Sequence, residues 1–251
     1  MLAEEDEFAA TLAEEAGRGL LDLRGRPTKS GKEVGADGDQ WSHRLIVDAL
    51  GKRFPGDRVR SEESTRAEPI DDSAGRVWIV DPLDGTREFS EGRTDWAVHV
   101  ALAVDADPVV GAVALPGLGL VLRSGSPPPL AQPEDKPRVV VSRTRPPAFI
   151  PALLERLRGV EVPMGSAGAK IAAVIRGEAD IYVHAGGQYE WDSAAPVAVA
   201  LSAGLHASRV DGSPLRYAQP DPWLPDLLVC HPRFAPGALE ALRDLGVTTE
   251  P

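Results

Sequence analysis

The run Arg76-Val77-Trp78-Ile79-Val80 is rich in β-branched and aromatic residues, reads as a strand, and stops at Asp81-Pro82-Leu83-Asp84-Gly85-Thr86. Two carboxylates three residues apart therefore project from a strand end into a polar turn. Pro82 fixes one backbone dihedral and presents the Leu83 carbonyl, while Asp81 and Asp84 can point at one hard cation, which takes oxygen ligands. Gly85 and Thr86 add backbone N–H groups without bulk, and a helix beginning there would turn its positive end to an anion. Cation and anion sites are thus packed into six residues. The same letters can also be read as an Asp-Pro turn followed by an Asp-Gly turn.

Around this segment helices and strands alternate. Phe8, Leu12, Ala16, Leu20 and Leu23 recur every three or four residues, which predicts one helix over Leu2 to Leu23. The polar stretch up to Gln40 reads as a loop; Trp41, Leu45, Ile46 and Ala49 then place a helix over Trp41 to Leu50, stopped by Gly51. Strands are expected over Val77 to Val80, Trp96 to Val104, Val109 to Leu115, Val139 to Ser142 and Asp180 to His184. Further helices are expected over Phe149 to Leu157, Ala167 to Ile175 and Ser193 to Ser202, the last closed by Gly204. Residues 117–137 hold Pro127-Pro128-Pro129, Pro133 and Pro137 and cannot continue a helix or a central strand. Their far end is a candidate subdomain boundary. Layered helices and sheets fit this alternation better than a helical bundle or a β-sandwich.

With 43% hydrophobic and 26% charged residues in 251, the chain can bury a sizeable core. Its formal charge of −11 repels phosphate backbones and anionic lipid heads, which sets nucleic acid and membranes aside as partners. The N-terminal stretch is acidic where an export signal is basic, and no apolar run approaches the roughly 20 residues that span a bilayer, so the expected compartment is the cytoplasm. Cys230, the single cysteine, lies beside Leu228 and Val229 and reads as a buried small apolar residue. His43, His99, His184, His206 and His231 are scattered without the spacing of a metal site.

Three more acidic segments stand out. Glu62-Glu63 follows a strand-like run, Asp192 opens the apolar helix in Trp191-Asp192-Ser193-Ala194-Ala195-Pro196, and Asp37 and Asp39 precede the helix at Trp41. Separately each has an ordinary explanation: a solvated acidic loop for the glutamates and helix N-caps for the aspartates. In this order and spacing, however, Glu62-Glu63, Asp81 to Thr86 and Trp191 to Ala195 resemble the inositol-monophosphatase-like superfamily of metal-dependent, lithium-sensitive phosphatases. The resemblance spans almost the whole chain. The strings WIVDPLDGTREFSEGRTDWAVHVAL, GSAGAK and HAGGQYEWDSAAP are most similar to the CysQ branch, which removes the 3′-phosphate from 3′-phosphoadenosine 5′-phosphate.

The resemblance implies an αβαβα layered α/β sandwich, with an N-terminal α+β subdomain over 1–133, a C-terminal α/β subdomain over 134–251, and the site between them. It implies two or three Mg²⁺ ions held by Glu62, Asp81, the Leu83 carbonyl, Asp84 and Asp192. Asp39 matches an aspartate that usually follows a threonine; that threonine is missing here, and Asp37 is the competing choice. Thr86 with Asp39 would orient the attacking water, Glu63 would accept a proton from a bound water, and Gly85 with Thr86 would hold the phosphate. Ser142, Arg143, Ser166, Lys170 and Glu190 are the candidate substrate contacts, Arg143 for a remote 5′-phosphate and Lys170 as a positive charge facing the nucleotide. Inositol-specific relatives carry a glutamate seven residues before the aspartate at 192, where this chain has Ala185. Inositol monophosphatase or fructose-1,6-bisphosphatase activity is the alternative, and a non-catalytic cation or phosphometabolite sensor the alternative of another class. The resemblance also carries homodimerisation.

Overall fold

The structure, a computed structural model, describes residues 2–25, 31–64 and 75–248. In chain order its elements are α1 (Ala3–Arg24), α2 (Lys32–Arg53), β1 (Arg58–Ser61), β2 (Arg76–Asp84), α3 (Thr86–Ser90), β3 (Ala97–Val104), β4 (Asp107–Leu115) and β5 (Leu120–Arg123). There follow β6 (Arg138–Ser142), α4 (Ile150–Leu157), β7 (Val160–Met164), α5 (Ala167–Ile175), β8 (Ile181–Tyr189), α6 (Ala194–Ser202), β9 (His206–Ser208), β10 (Trp223–Cys230) and α7 (Ala235–Asp244). Single 3-10 turns occupy Pro116–Leu118 and Glu190–Asp192.

The strands form two mixed five-stranded sheets, ordered β1-β2-β3-β4-β5 and β7-β6-β8-β10-β9. Strand alternation assigns their faces. Trp78 and Val80 of β2, with Val98, Val100 and Leu102 of β3, pack on α1 and α2, whereas Val77, Ile79, Ala101 and Ala103 face α5 and α6. The other sides of α5 and α6 cover Val140, Tyr182, Leu227 and Val229 of the second sheet. Val139, Val141, Val183, Leu228 and Cys230 on the far face meet α4 and α7. The five layers expected from the resemblance are therefore present, with α5 and α6 as the central layer and Cys230 fully buried.

Several elements differ from the sequence reading. The second helix starts at Lys32, nine residues earlier than expected, and carries Asp37 and Asp39 inside it rather than at a cap. Gly35 and Gly38 serve close approach, not a turn: a Cβ on Gly35 would stand 2.5 Å from Ser90 Oγ, and one on Gly38 would stand 3.0 Å from Leu20 Cδ2. Gly51 does not stop the helix as expected; it lies in open space and the helix runs on to Arg53, since an exposed glycine lowers helix propensity without breaking the hydrogen-bond ladder. Strand β8 runs five residues past His184, and β7, β9, β10 and α7 were not anticipated. The proline-rich stretch does hold β5, at the sheet edge where a strand tolerates such neighbours. Part of the loop expected after α1, residues 26–30, lies outside the described residues. No described helix is long and apolar enough to cross a membrane.

Candidate active site

Asp81 continues the alternation of Val77 and Ile79, so β2 delivers it to the central-layer face, opposite His99 of β3. The β2–β3 register breaks between Asp81 and Asp84, which frees the chain to turn. Within that break Asp81 Oδ1 accepts the Leu83 N–H at 3.0 Å, and Ser42 Oγ of α2 donates to Pro82 O at 2.8 Å. Gly85 then takes a left-handed φ of 86°, and α3 begins at Thr86.

Asp84 reaches into the start of α5. Its carboxylate accepts the N–H of Gly168 at 2.6 Å, that of Ala167 at 3.2 Å and the hydroxyl of Ser166 at 2.5 Å. Orphan N–H groups at a helix start hold a carboxylate well, which explains a buried acid here. Gly168 makes the approach feasible, since a Cβ there would fall 1.9 Å from His99 Nε2. The same His99 ring uses Nδ1 to contact Trp191 O at 3.0 Å, tying the sheet to the turn that carries Asp192. Asp192 does not cap α6; its Oδ2 accepts the Tyr189 N–H at 2.7 Å, within its own 3-10 turn.

Asp81, Asp84 and Asp192 each bring a carboxylate oxygen within 4.8 Å of the others. Such crowding in a buried place disfavours charge. Burial, then Glu62, Asp84 and Asp192, push Asp81 well above the usual carboxylate range, and burial with Asp84 pushes Asp192 up to about 7. A divalent cation would relieve this repulsion, and an all-oxygen donor set suits a hard ion such as Mg²⁺ better than zinc. The residues present fit such an ion.

Asp39 of α2 lies near enough to this cluster for its charge to act on Asp81. Thr86 Oγ1 lies 3.1 Å from Leu83 O and 3.5 Å from Asp39 Oδ2, while Asp39 Oδ1 is buried without a hydrogen-bond partner. Burial and the nearby Glu63 charge push Asp39 up to about 7. Of the two aspartates in this part of α2, Asp39 is the buried one. Glu62 follows β1 half-buried, and the exposed Glu63 lines the same surface as Asp39 and Thr86.

A cleft of about 610 Å³ joins Asp84, Gly85, Thr86 and Asp192 to Ser142, Ser166 and Lys170. Lys170 is 6% exposed, donates to Ser166 O at 2.5 Å, and lies over the Tyr182 ring. Burial lowers its pKa against the opposing pull of Asp84, Glu88 and Asp192. Two expected contacts are placed elsewhere. Arg143 donates to Glu88 and Glu91, each at 3.0 Å, and Arg145 lines the cleft in its stead. Glu190 is buried in an ion pair with Arg60 of β1 rather than turned to the cleft. Arg145, Tyr189 and Trp223 of the lining were not anticipated. An arginine two residues beyond Arg143 was visible in the sequence, but Trp223 approaches Tyr189 only through the β8–β10 register.

Comparison with known proteins agrees with this architecture. The chain is 46% identical over 260 residues to the 3′-phosphoadenosine 5′-phosphate phosphatase of Mycobacterium leprae, covering 95% of this chain and 93% of the relative. It is 50% identical over 225 residues to the protein of the same name from Mycobacterium bovis, covering 84% and 82%. The crystal structure of CysQ from Bacteroides thetaiotaomicron superposes with a TM-score of 0.74 at 26% identity, covering 92% of this chain and 98% of that one. The family model for the inositol monophosphatases matches residues 2–245, and the chain belongs to the inositol monophosphatase family.

Proposed function

We propose that the chain is a Mg²⁺-dependent, lithium-sensitive phosphomonoesterase that removes the 3′-phosphate of 3′-phosphoadenosine 5′-phosphate. The observation that carries this reading is the carboxylate cluster of Asp81, Asp84 and Asp192 opening into a cleft that also holds Lys170 and Arg145. The names of relatives near 50% identity support the nucleotide as substrate. Ala185 lines the cleft with no acceptor where inositol-specific relatives carry a glutamate, which favours the nucleotide over inositol phosphates.

Asp81, Asp84, Asp192, Glu62 and Leu83 O would hold the ions, which supply positive charge to the phosphoryl oxygens and acidify a bound water. The chain's own groups do the rest. Asp39, with an unpartnered Oδ1 and its other oxygen beside Thr86, is placed to take a proton from the attacking water. Thr86 Oγ1, held between Leu83 O and Asp39, orients that water, and Glu63 serves as a further proton acceptor at the rim. Gly85 and Thr86 present N–H groups to the phosphate where Gly85 leaves no side chain in the way. Ser166 and Ser142 border the substrate, Lys170 offers it a positive charge, and Arg145 takes the remote 5′-phosphate in place of Arg143. Glu190 pairs with Arg60 in the interior instead of touching substrate. The two subdomains, 1–133 and 134–251, each contribute to this chemistry.

Phosphate release in Mg²⁺ from 3′-phosphoadenosine 5′-phosphate, inositol 1-phosphate and fructose 1,6-bisphosphate, with and without lithium, tests the proposal. The expected result is a kcat/KM at least about tenfold higher for the nucleotide, equal to about 1.4 kcal/mol, with inhibition by lithium. Equal or reversed preference overturns the substrate assignment. Cation binding without turnover of any of the three would favour a sensor.

A further inference from the structure

The cleft has an aromatic side that phosphate chemistry does not require. Tyr189 and Trp223 are 43% and 42% exposed; among the described residues they are the two aromatic side chains left so open, and both line the cleft that contains Asp84 and Asp192. Their arrangement is fixed by backbone. Trp223 stands opposite Tyr189 in the antiparallel β8–β10 register, and its ring meets the Tyr189 ring edge-on, centroids 5.5 Å apart at 81°. Tyr189 in turn lies flat on Trp191, at 4.6 Å and 11°. The indole of Trp223 is seated against Gly187, where a Cβ would fall 1.8 Å from the ring and where φ is +87°, so two independent features of that position favour glycine.

Two half-open rings at right angles, one backed by Trp191 and the other seated on glycine, make a rigid corner. A flat heteroaromatic ring can stack on one wall and point its edge at the other, with little side-chain entropy left to lose. Lys170 and Arg145 in the same cleft supply the charge for the anionic part of such a ligand. A small polyol phosphate would leave the corner in water. We propose that Trp223 and Tyr189 form a nucleobase-binding corner that makes the cleft selective for nucleotides over base-free phosphate esters. This deepens the nucleotide reading above and rests on it.

The test is calorimetric titration of the full chain, in Mg²⁺, with AMP and with ribose 5-phosphate, which differ by the base alone. The wild type is expected to bind AMP about tenfold or more tighter, within the range of base stacking on one aromatic side chain. Trp223→Ala should erase that preference, Trp223→Phe should keep most of it, and Trp223→Leu should lose it while preserving apolar bulk if the alanine variant folds poorly. A wild type without preference for AMP, or Trp223→Leu retaining it, overturns the corner. Hydrolysis of 3′-phosphoadenosine 5′-phosphate is measured in parallel. A Trp223-dependent preference for AMP without hydrolysis supports the corner and removes the substrate assignment; hydrolysis without such a preference does the reverse.

Discussion

Asp39 stands within α2 with one carboxylate oxygen near Thr86 and the other unpartnered, and its pKa is pushed up to about 7. In the unfolded chain the same group titrates near 3.8. Between those values the folded protein holds a proton that the unfolded chain has released, so this residue makes stability fall as pH rises through about 4 to 7. Asp39→Asn removes that slope, and the variant without cation should be more stable than the wild type at pH 8 by on the order of 4 kcal/mol at most, read by urea denaturation at pH 5 and 8. Its kcat should fall at least about 100-fold, the scale of a lost general base. The Arg60–Glu190 pair is the opposite case, two buried charges that satisfy each other while Arg60 Nε remains without a hydrogen-bond partner. Glu190→Gln leaves a buried guanidinium uncompensated and is expected to cost about 3–5 kcal/mol, whereas Arg60→Met combined with Glu190→Gln should recover most of it. Comparing denaturant midpoints of the two variants checks this.

At the level of elements, the start of α5 is the part most tightly fitted to the acidic cluster, because Asp84 takes the place of solvent for its N–H groups. Gly168→Ala inserts a methyl against His99 and Asp84 and is expected to cost about 1–3 kcal/mol of stability, and to weaken Mg²⁺ binding by moving Asp84. Thermal denaturation with and without the cation separates the two effects. This element was legible in the sequence from Ala167 to Ile175, as was the strand carrying Asp81, because both have a plain apolar pattern with clear ends. The start of α2 was not legible, since Gly35 and Gly38 look like loop residues until α1 and α3 are packed on them. Strand β10 was hidden by Pro225 and Asp226, which lie where its register with β8 breaks and where Asp226 pairs with Arg209. Of the site, the residues that bear charge were legible by type. Which way Arg143 and Glu190 turn was not, because the partners that claim them, Glu88, Glu91 and Arg60, come from 52 to 130 positions away.

For the molecule as a whole, a formal charge of −11 and a knot of buried carboxylates predict a fold whose stability responds to divalent cations. Mg²⁺ at about 100 times its dissociation constant should raise the melting temperature by about 5 °C or more at pH 8. The rise should be smaller at pH 5, where protons compete for Asp81 and Asp192, and absent in an Asp81→Asn variant; differential scanning fluorimetry measures all three. The cluster itself is assembled from β2 in one sheet and the 3-10 turn after β8 in the other. The central layer has a consequence for how the protein is made. The first sheet is complete at residue 123, yet the helices that cover Val77, Ile79, Ala101 and Val113 span residues 167–202. On a ribosome that interval lasts on the order of ten seconds, and a first sheet that pairs within it would have one apolar face bare. The long proline-rich connection after β5 places the cover further along the chain, so the sequence predicts its greatest exposure to aggregation during synthesis rather than in the mature protein.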